Sequence, residues 1–223
     1  MLETIEVQTG NNPSAAVIWM HGLGADGNDF VPIVNELELS GAPALRFVFP
    51  HAPKIPVTIN NGYVMRAWYD VSFGDLEGHT KRADENGVRR SQAQIGELIL
   101  REHERGIAFS HIVLAGFSQG GAISLQTGLR YPEKLAGVMA LSCYLPCTDS
   151  FVAEATAENK NTPVFIAHGT EDPVVPYAMG NTACNTLRQS GYAVQWHEYA
   201  MPHSVCLEQI RDIGAWLTRV LHK

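Results

Sequence analysis

Ile112-Val113-Leu114-Ala115-Gly116-Phe117-Ser118-Gln119-Gly120-Gly121 is the stretch whose reading decides the fold. An apolar run leads into Gly116, and beyond the turn Ala122, Ile123, Leu125 and Leu129 recur at helical spacing. The pattern predicts strand, sharp turn, helix. So tight a turn leaves almost no room beside its apex, and the positions two before and two after, Gly116 and Gly120, are both free of side chain. The apex residue is then held in a strained backbone region with its hydroxyl pointing away from the sheet. The next amide stands at a helix N-terminus, where developing negative charge is stabilised. Ser118 is thus a candidate nucleophile and the Gln119 N–H a candidate oxyanion donor; the plainer reading is a serine helix cap.

Upstream, Ala15 to Met20 is an apolar run of strand length ending in His21-Gly22-Leu23-Gly24-Ala25-Asp26-Gly27. The loop matches Gly-x-Gly-x-x-Gly, so a dinucleotide site has to be weighed. That site also needs an acid about twenty residues on, at the end of the next strand, to hold the ribose. Arg46 to Phe49 instead runs into Pro50-His51-Ala52-Pro53. The better reading is a second oxyanion donor, the N–H of Leu23, with a plain glycine-rich turn as the alternative.

The 223-residue chain, 1–223, is long enough for one α/β domain with a large core, and no composition shift marks a second. A net charge of −7 with no Lys/Arg cluster argues against nucleic acid and anionic lipid as partners. Met1 to Thr9 lacks the basic and apolar regions of a signal peptide, and no apolar run approaches the ~20 residues that span a bilayer. The expectation is a cytoplasmic protein with no stable membrane insertion. Cys143, Cys147, Cys184 and Cys206 form no Cys-x-x-Cys pair and read as ordinary thiols in a reducing compartment, with neither disulfides nor a zinc or other metal site.

Strand and helix patterns then alternate. Thr4 to Gln8 reads as a short edge strand and Asn28 to Leu37 as helix. Residues 51 to 82 have no sustained period and form an aromatic-rich excursion expected to wall a cleft, although Trp68 is as readily a core residue. Ala83 to Gly106 is a helix with Val88, Ile95, Leu98 and Ile99 on one face. The elbow helix is expected to close at Tyr131-Pro132, with a strand over Leu135 to Leu141 and a short helix over 150 to 160. Another strand leads to His168-Gly169-Thr170-Glu171-Asp172-Pro173. Tyr177 to Ser190 reads as helix, Ala193 to Tyr199 as strand, and a helix with Cys206, Ile210, Ile213, Leu217 and Val220 on one face closes the chain. This alternation implies a mostly parallel sheet with helices on both faces.

In such sheets functional residues gather at the C-terminal strand ends. Three strand ends carry reactive groups: Ser118, Asp172 and His203. A serine hydroxyl needs an imidazole to take its proton and a carboxylate to fix the imidazole's tautomer, and the order Ser, Asp, His is that of an α/β-hydrolase. His197 lies inside a strand and His168 precedes a turn, so His203 is the preferred base. Asp172 competes with Glu171 and Asp149; Pro173 locks the turn and favours Asp172.

Taken together, His21 to Asp26, Arg66-Ala67-Trp68-Tyr69-Asp70, Gly116 to Gly121, Leu141 to Pro146, His168 to Pro176 and Met201-Pro202-His203-Ser204 resemble the phospholipase/carboxylesterase family, which includes acyl-protein thioesterases and bacterial carboxylesterases. The resemblance runs from about residue 15 to 220. It implies the α/β-hydrolase fold without a large cap domain, Ser118, Asp172 and His203 as catalytic triad, and the Leu23 and Gln119 amides as oxyanion hole. It also implies that no cofactor is needed and that a homodimer is compatible with the family.

Tyr144 stands where the eukaryotic thioesterases typically carry tryptophan, which tilts the expectation to a bacterial-type carboxylesterase acting on small-molecule esters of short to medium chain. The expected walls of its shallow apolar groove are Leu23, Met65, Trp68, Phe73 and Val175. An acyl-protein thioesterase or lysophospholipase using the same triad is the alternative, and a catalytically silent binding module on this fold the remote one.

Overall fold

The computed structural model describes residues 1–72 and 84–222. In chain order its strands are β1 (Thr4–Gln8), β2 (Ala15–Met20), β3 (Leu45–Pro50), β4 (Lys54–Val57), β5 (Tyr63–Arg66), β6 (Ile112–Phe117), β7 (Gly137–Leu141), β8 (Val164–Gly169) and β9 (Val194–Tyr199). Among the described residues they form a seven-stranded sheet, in the order β1-β3-β2-β6-β7-β8-β9, and a separate β4-β5 hairpin. Only β1, at the edge, runs antiparallel within the large sheet.

The unbroken apolar runs follow from burial on both faces. Ala15, Val17 and Trp19 of β2 point into a core with Phe47, Val113, Phe165 and Trp216. Ala16, Ile18 and Met20 point the other way, toward Leu114, Ile95 and Ile99. The helix Leu207–Leu221 covers the first face, and the helices Glu85–Glu104 and Gln119–Gly128 cover the second. The helix Tyr177–Gln189 packs Ala183, Cys184 and Leu187 against Val138, Ala140 and Ile166 further along the sheet. The pairing register brings the strand ends level: Met20 lies opposite Gly116, Phe117 opposite Leu141, and Gly169 opposite Tyr199.

Several sequence expectations are corrected. Only Ile33–Glu36 of the 28–37 segment is helical. Upstream, Pro32 has no N–H for a carbonyl four residues back, and the chain before it closes in tighter turns such as Val31 N–H to the Asn28 carbonyl at 3.2 Å. The elbow helix stops at Gly128, and the Arg130 N–H turns back to the Thr127 carbonyl at 3.2 Å before Tyr131-Pro132 is reached. The short helix is Thr148–Glu154 rather than 150 to 160.

The described part of the 51–82 excursion contains the β4-β5 hairpin, in register from Lys54 opposite Arg66 to Val57 opposite Tyr63. Its two strands are both edges, which is why Pro56 is tolerated there. Asn61 and Gly62 both take left-handed backbone, at φ 55° and 75°. Asp70 fastens the loop, accepting from the Thr58 amide and hydroxyl at 2.6 Å each.

One buried ion network ties the sheet edge to the long helix. Glu102, fully buried, meets Arg46 at 2.7 Å, Arg105 at 2.9 Å and Arg101 at 3.1 Å. Removing the carboxylate charge leaves the largely buried Arg46 guanidinium with Glu6 alone, 3.8 Å away. Glu102→Gln is therefore expected to destabilise the fold by about 3 kcal/mol, read as a lower denaturant midpoint at unchanged slope.

Candidate active site

Ser118 sits at the turn between β6 and the helix Gln119–Gly128, at φ 54° and ψ −121°. The flanking glycines are a steric requirement. A Cβ on Gly116 would lie 2.2 Å from the Gly120 carbonyl, and one on Gly120 would lie 2.3 Å from the Met20 oxygen. The Ser118 amide donates to the Leu141 carbonyl at 2.8 Å, which moors the turn to β7.

Asp172 follows β8. Its Oδ1 accepts from the amides of Val174 and Val175 at 2.8 and 2.9 Å, and its Oδ2 meets His203 Nδ1 at 2.6 Å. Burial pushes this carboxyl up, but the His203 hydrogen bond and the two amides outweigh it and hold the carboxyl below its ordinary range. A carboxylate has no proton to give, so Nδ1 carries the hydrogen, and in the neutral ring this leaves the lone pair on Nε2. The His203 loop reaches this carboxylate by passing hard against Gly169, where a Cβ would stand 2.3 Å from the Met201 oxygen. The competing acids Glu171 and Asp149 are exposed.

His168 is fully buried and bonded to the Val175 carbonyl at 2.9 Å; burial holds it below its ordinary pKa. It braces the loop that carries Asp172. His197 stacks on Phe165 within β9.

The loop after β2 crosses the elbow closely, since a Cβ on Gly22 would lie 3.5 Å from Ser118 Cβ. His21 shapes that loop. The Ala52 amide donates to its Nε2 at 3.0 Å, so Nδ1 bears the hydrogen and donates to the Gly22 carbonyl at 2.7 Å. In a trans peptide the N–H points opposite the C=O. Fixing the Gly22 carbonyl therefore fixes the direction of the Leu23 amide. Burial lowers the pKa of His21 to about 4, which keeps the ring neutral and this pattern intact near pH 7.

Gln119 supplies more than its amide. Its Oε1 accepts from the Trp68 N–H at 2.8 Å and its Nε2 donates to the Tyr69 carbonyl at 2.7 Å, tying the segment after β5 to the elbow. Sequence reading did not anticipate these side-chain roles of His21 and Gln119; polar side chains beside glycine-rich turns were the available signal.

Ser118, Gln119, Leu23 and His203 together line a cavity of about 390 Å³. Val175 lines it as expected, joined by Ile59, Val71, Phe117 and Val174. Tyr69 and Tyr144 also line it, their hydroxyls 2.8 Å apart. Two expected wall residues lie elsewhere. Trp68 is buried in the core beneath, its indole N–H donating to the His21 carbonyl at 2.9 Å. Met65 packs beside Gly24, with its sulfur accepting from Asn60. Phe73 falls outside the described residues.

Among the described residues no group of three or more His, Cys, Asp or Glu is placed to hold a metal ion. No helix among them is long and apolar enough to cross a membrane.

Comparison with known proteins agrees with this architecture. Acyl-protein thioesterase 1 of Cryptococcus neoformans is 37% identical, with 99% of this chain and 98% of the relative aligned. Acyl-protein thioesterase 1 of Neurospora crassa is 42% identical over 94% of this chain and 88% of its own length. The crystal structure of Zea mays acyl-protein thioesterase 2 superposes with a TM-score of 0.84 at 26% identity, covering 99% of this chain and all 100% of that one. The phospholipase/carboxylesterase family profile matches residues 2–221, and with an α/β-hydrolase sheet carrying the aligned strand ends described above, the chain belongs to that family of hydrolases.

Proposed function

We propose that the chain is a serine hydrolase of the acyl-protein thioesterase type, cleaving acyl thioesters, and esters by the same route, through an acyl-serine intermediate. The observation that carries this reading is the 2.6 Å contact of His203 Nδ1 with an Asp172 carboxylate held by two backbone amides. His203 and Ser118 line the same cavity, which supports their acting on one substrate. The names of the full-length relatives favour thioester cleavage over the short- to medium-chain carboxylesterase that Tyr144 suggested.

In this reading His203 takes the Ser118 proton as Oγ attacks the acyl carbon, and returns it to the departing sulfur or oxygen. The charge on the carbonyl oxygen is met by the Leu23 amide, aimed through His21, and by the Gln119 amide, one of the first N–H groups of its helix, which lack intrahelical acceptors. Water then repeats the cycle on the acyl-enzyme.

Ser118→Ala is expected to fold normally, to lose labelling by a fluorophosphonate, and to lose activity by about 10⁴ or more. Retention of a tenth of the rate would exclude an acyl-serine. Matched thioester and ester substrates with one acyl group should both be cleaved, with the thioester giving the higher kcat/KM; the reverse order returns the carboxylesterase reading.

The groove sets a limit on acyl length. At ~30 Å³ per water-sized group, it holds on the order of ten heavy atoms. Each covered methylene contributes up to about 0.8 kcal/mol, so kcat/KM should climb severalfold per added pair of carbons and level off near C10. A p-nitrophenyl ester series measured below the micellar concentration reads this directly.

His21 supplies a pH signature. Its folded pKa, about 4, lies below the ordinary 6.5, so the unfolded chain binds the proton first as pH falls. The stabilisation is complete above pH ~6.5 and drains away toward pH 4, a loss of about 3 kcal/mol from this group. His21→Gln should flatten that part of the stability profile. It should also lower kcat about 10-fold or more with little change in KM, because the aim of the Leu23 amide matters most in the transition state.

A further inference from the structure

His203 stands between two hollows. One is the cavity that holds Ser118; the other is a groove of about 440 Å³ walled by Phe30, Ile33, Phe117, Val205 and Ile210. Both include Asp29, Phe117 and His203 in their lining, and no other lining residue is common to them. Asp29 and Glu36 place two carboxylates along the second groove, and no Lys or Arg lines either hollow among the described residues.

The direction of the chemistry sorts the two. Ser118 Oγ bonds to the acyl carbon while its proton passes to His203 Nε2; the carbon–sulfur or carbon–oxygen bond then breaks and that proton goes to the departing atom. The acyl carbon remains on Ser118, and its oxygen faces the Leu23 and Gln119 amides. The departing atom must lie against His203. The first cavity contains Ser118, Leu23 and Gln119; the second contains none of them and shares His203.

We propose that the groove walled by Phe30, Ile33, Val205 and Ile210 receives the leaving group, and that Asp29 and Glu36 select one carrying a positive charge on an apolar stem. The inference rests on the serine-hydrolase reading and assigns the other half of its substrate. Neither carboxylate is in a salt bridge with Lys, Arg or His among the described residues. Partial burial, with the nearby Asp26, pushes the Asp29 carboxyl up, a penalty that an arriving cation relieves. Two chemical sources share this description: a quaternary ammonium alcohol or thiol, and the basic side chains flanking an acylated cysteine.

The test compares kcat/KM within pairs that share one acyl group. Butyrylthiocholine is set against its neutral carbon isostere, 3,3-dimethylbutyl thiobutyrate, and both against the anionic S-butyryl-3-mercaptopropionate. At low salt the cation should lead the neutral thioester by up to about tenfold and the anion should trail it, as expected for two exposed carboxylates without a basic partner that line one groove. In ~0.5 M salt the contrast should contract severalfold. In the Asp29→Asn, Glu36→Gln double variant the cation-to-neutral ratio should fall to within about twofold of one; a ratio cancels any general change in activity.

Butyrylcholine against 3,3-dimethylbutyl butyrate repeats the measurement with an oxygen leaving atom. Cleavage of only the oxygen pair would remove the thioesterase reading while still judging the groove by its charge ratio. S-butyryl cysteine peptides with Lys or norleucine beside the cysteine identify the source: a larger ratio in the peptide pair assigns the groove to a basic peptide, a larger one in the choline pair to a small ammonium compound. Ratios within twofold of one in every pair, or a ratio that survives the double variant, overturn the proposal.

Discussion

At the elbow, backbone approaches backbone more closely than any Cβ permits, and most of what surrounds the site depends on that contact. The helix Gln119–Gly128 starts against the end of β2 because Gly120 presents nothing but hydrogen to the Met20 carbonyl. The same approach holds Ser118 at a positive φ that side-chain-bearing residues avoid. Strain of this kind persists only where the surroundings over-determine it. Here β2 and β7 flank β6 on its two sides, and the Leu141 carbonyl takes the serine amide.

The polar groups around the elbow extend that rigidity outward. Gln119 reaches from the helix N-terminus to the backbone of Trp68 and Tyr69, and Trp68 returns a bond to the His21 carbonyl. His21 in turn fixes the peptide that crosses the serine. Each of these side chains is buried and hydrogen-bonded, as burial of a polar group demands. Hydrogen bonds thus tie the cavity wall to the candidate nucleophile, and the low pKa of His21 follows from the desolvation that this closeness imposes.

How much of this was legible in the sequence depended on the range of the forces involved. The glycines at 116 and 120 announced the elbow because a steric exclusion has few solutions. Apolar runs gave β2, β6 and β8 almost to the residue, since burial on both faces leaves an unbroken signature. The order of Ser118, Asp172 and His203 was readable for the same reason: each follows a strand. Failures came where local chemistry competed. Asn61-Gly62 is a strong hairpin signal, yet the prolines around β4 masked it. Pro32 broke the first turns of an expected helix. Trp68 read equally well as groove wall or core, and only packing decided between them. Side-chain bonds across about fifty residues, such as Gln119 to Trp68, leave no periodic trace.

The level strand ends also gather, at one edge of the sheet, groups that are far apart along the chain. The strands that build the Ser118 elbow, β2, β6 and β7, precede in the chain the segments that carry Asp172 and His203. The carboxylate arrives with β8, and the imidazole only after β9, which pairs with β8 alone and forms the last edge of the sheet. Asp172 and His203 thus both hang on the β8-β9 edge, so in the proposed reading the chemistry depends on the pairing of a strand that has one neighbour only in the described sheet.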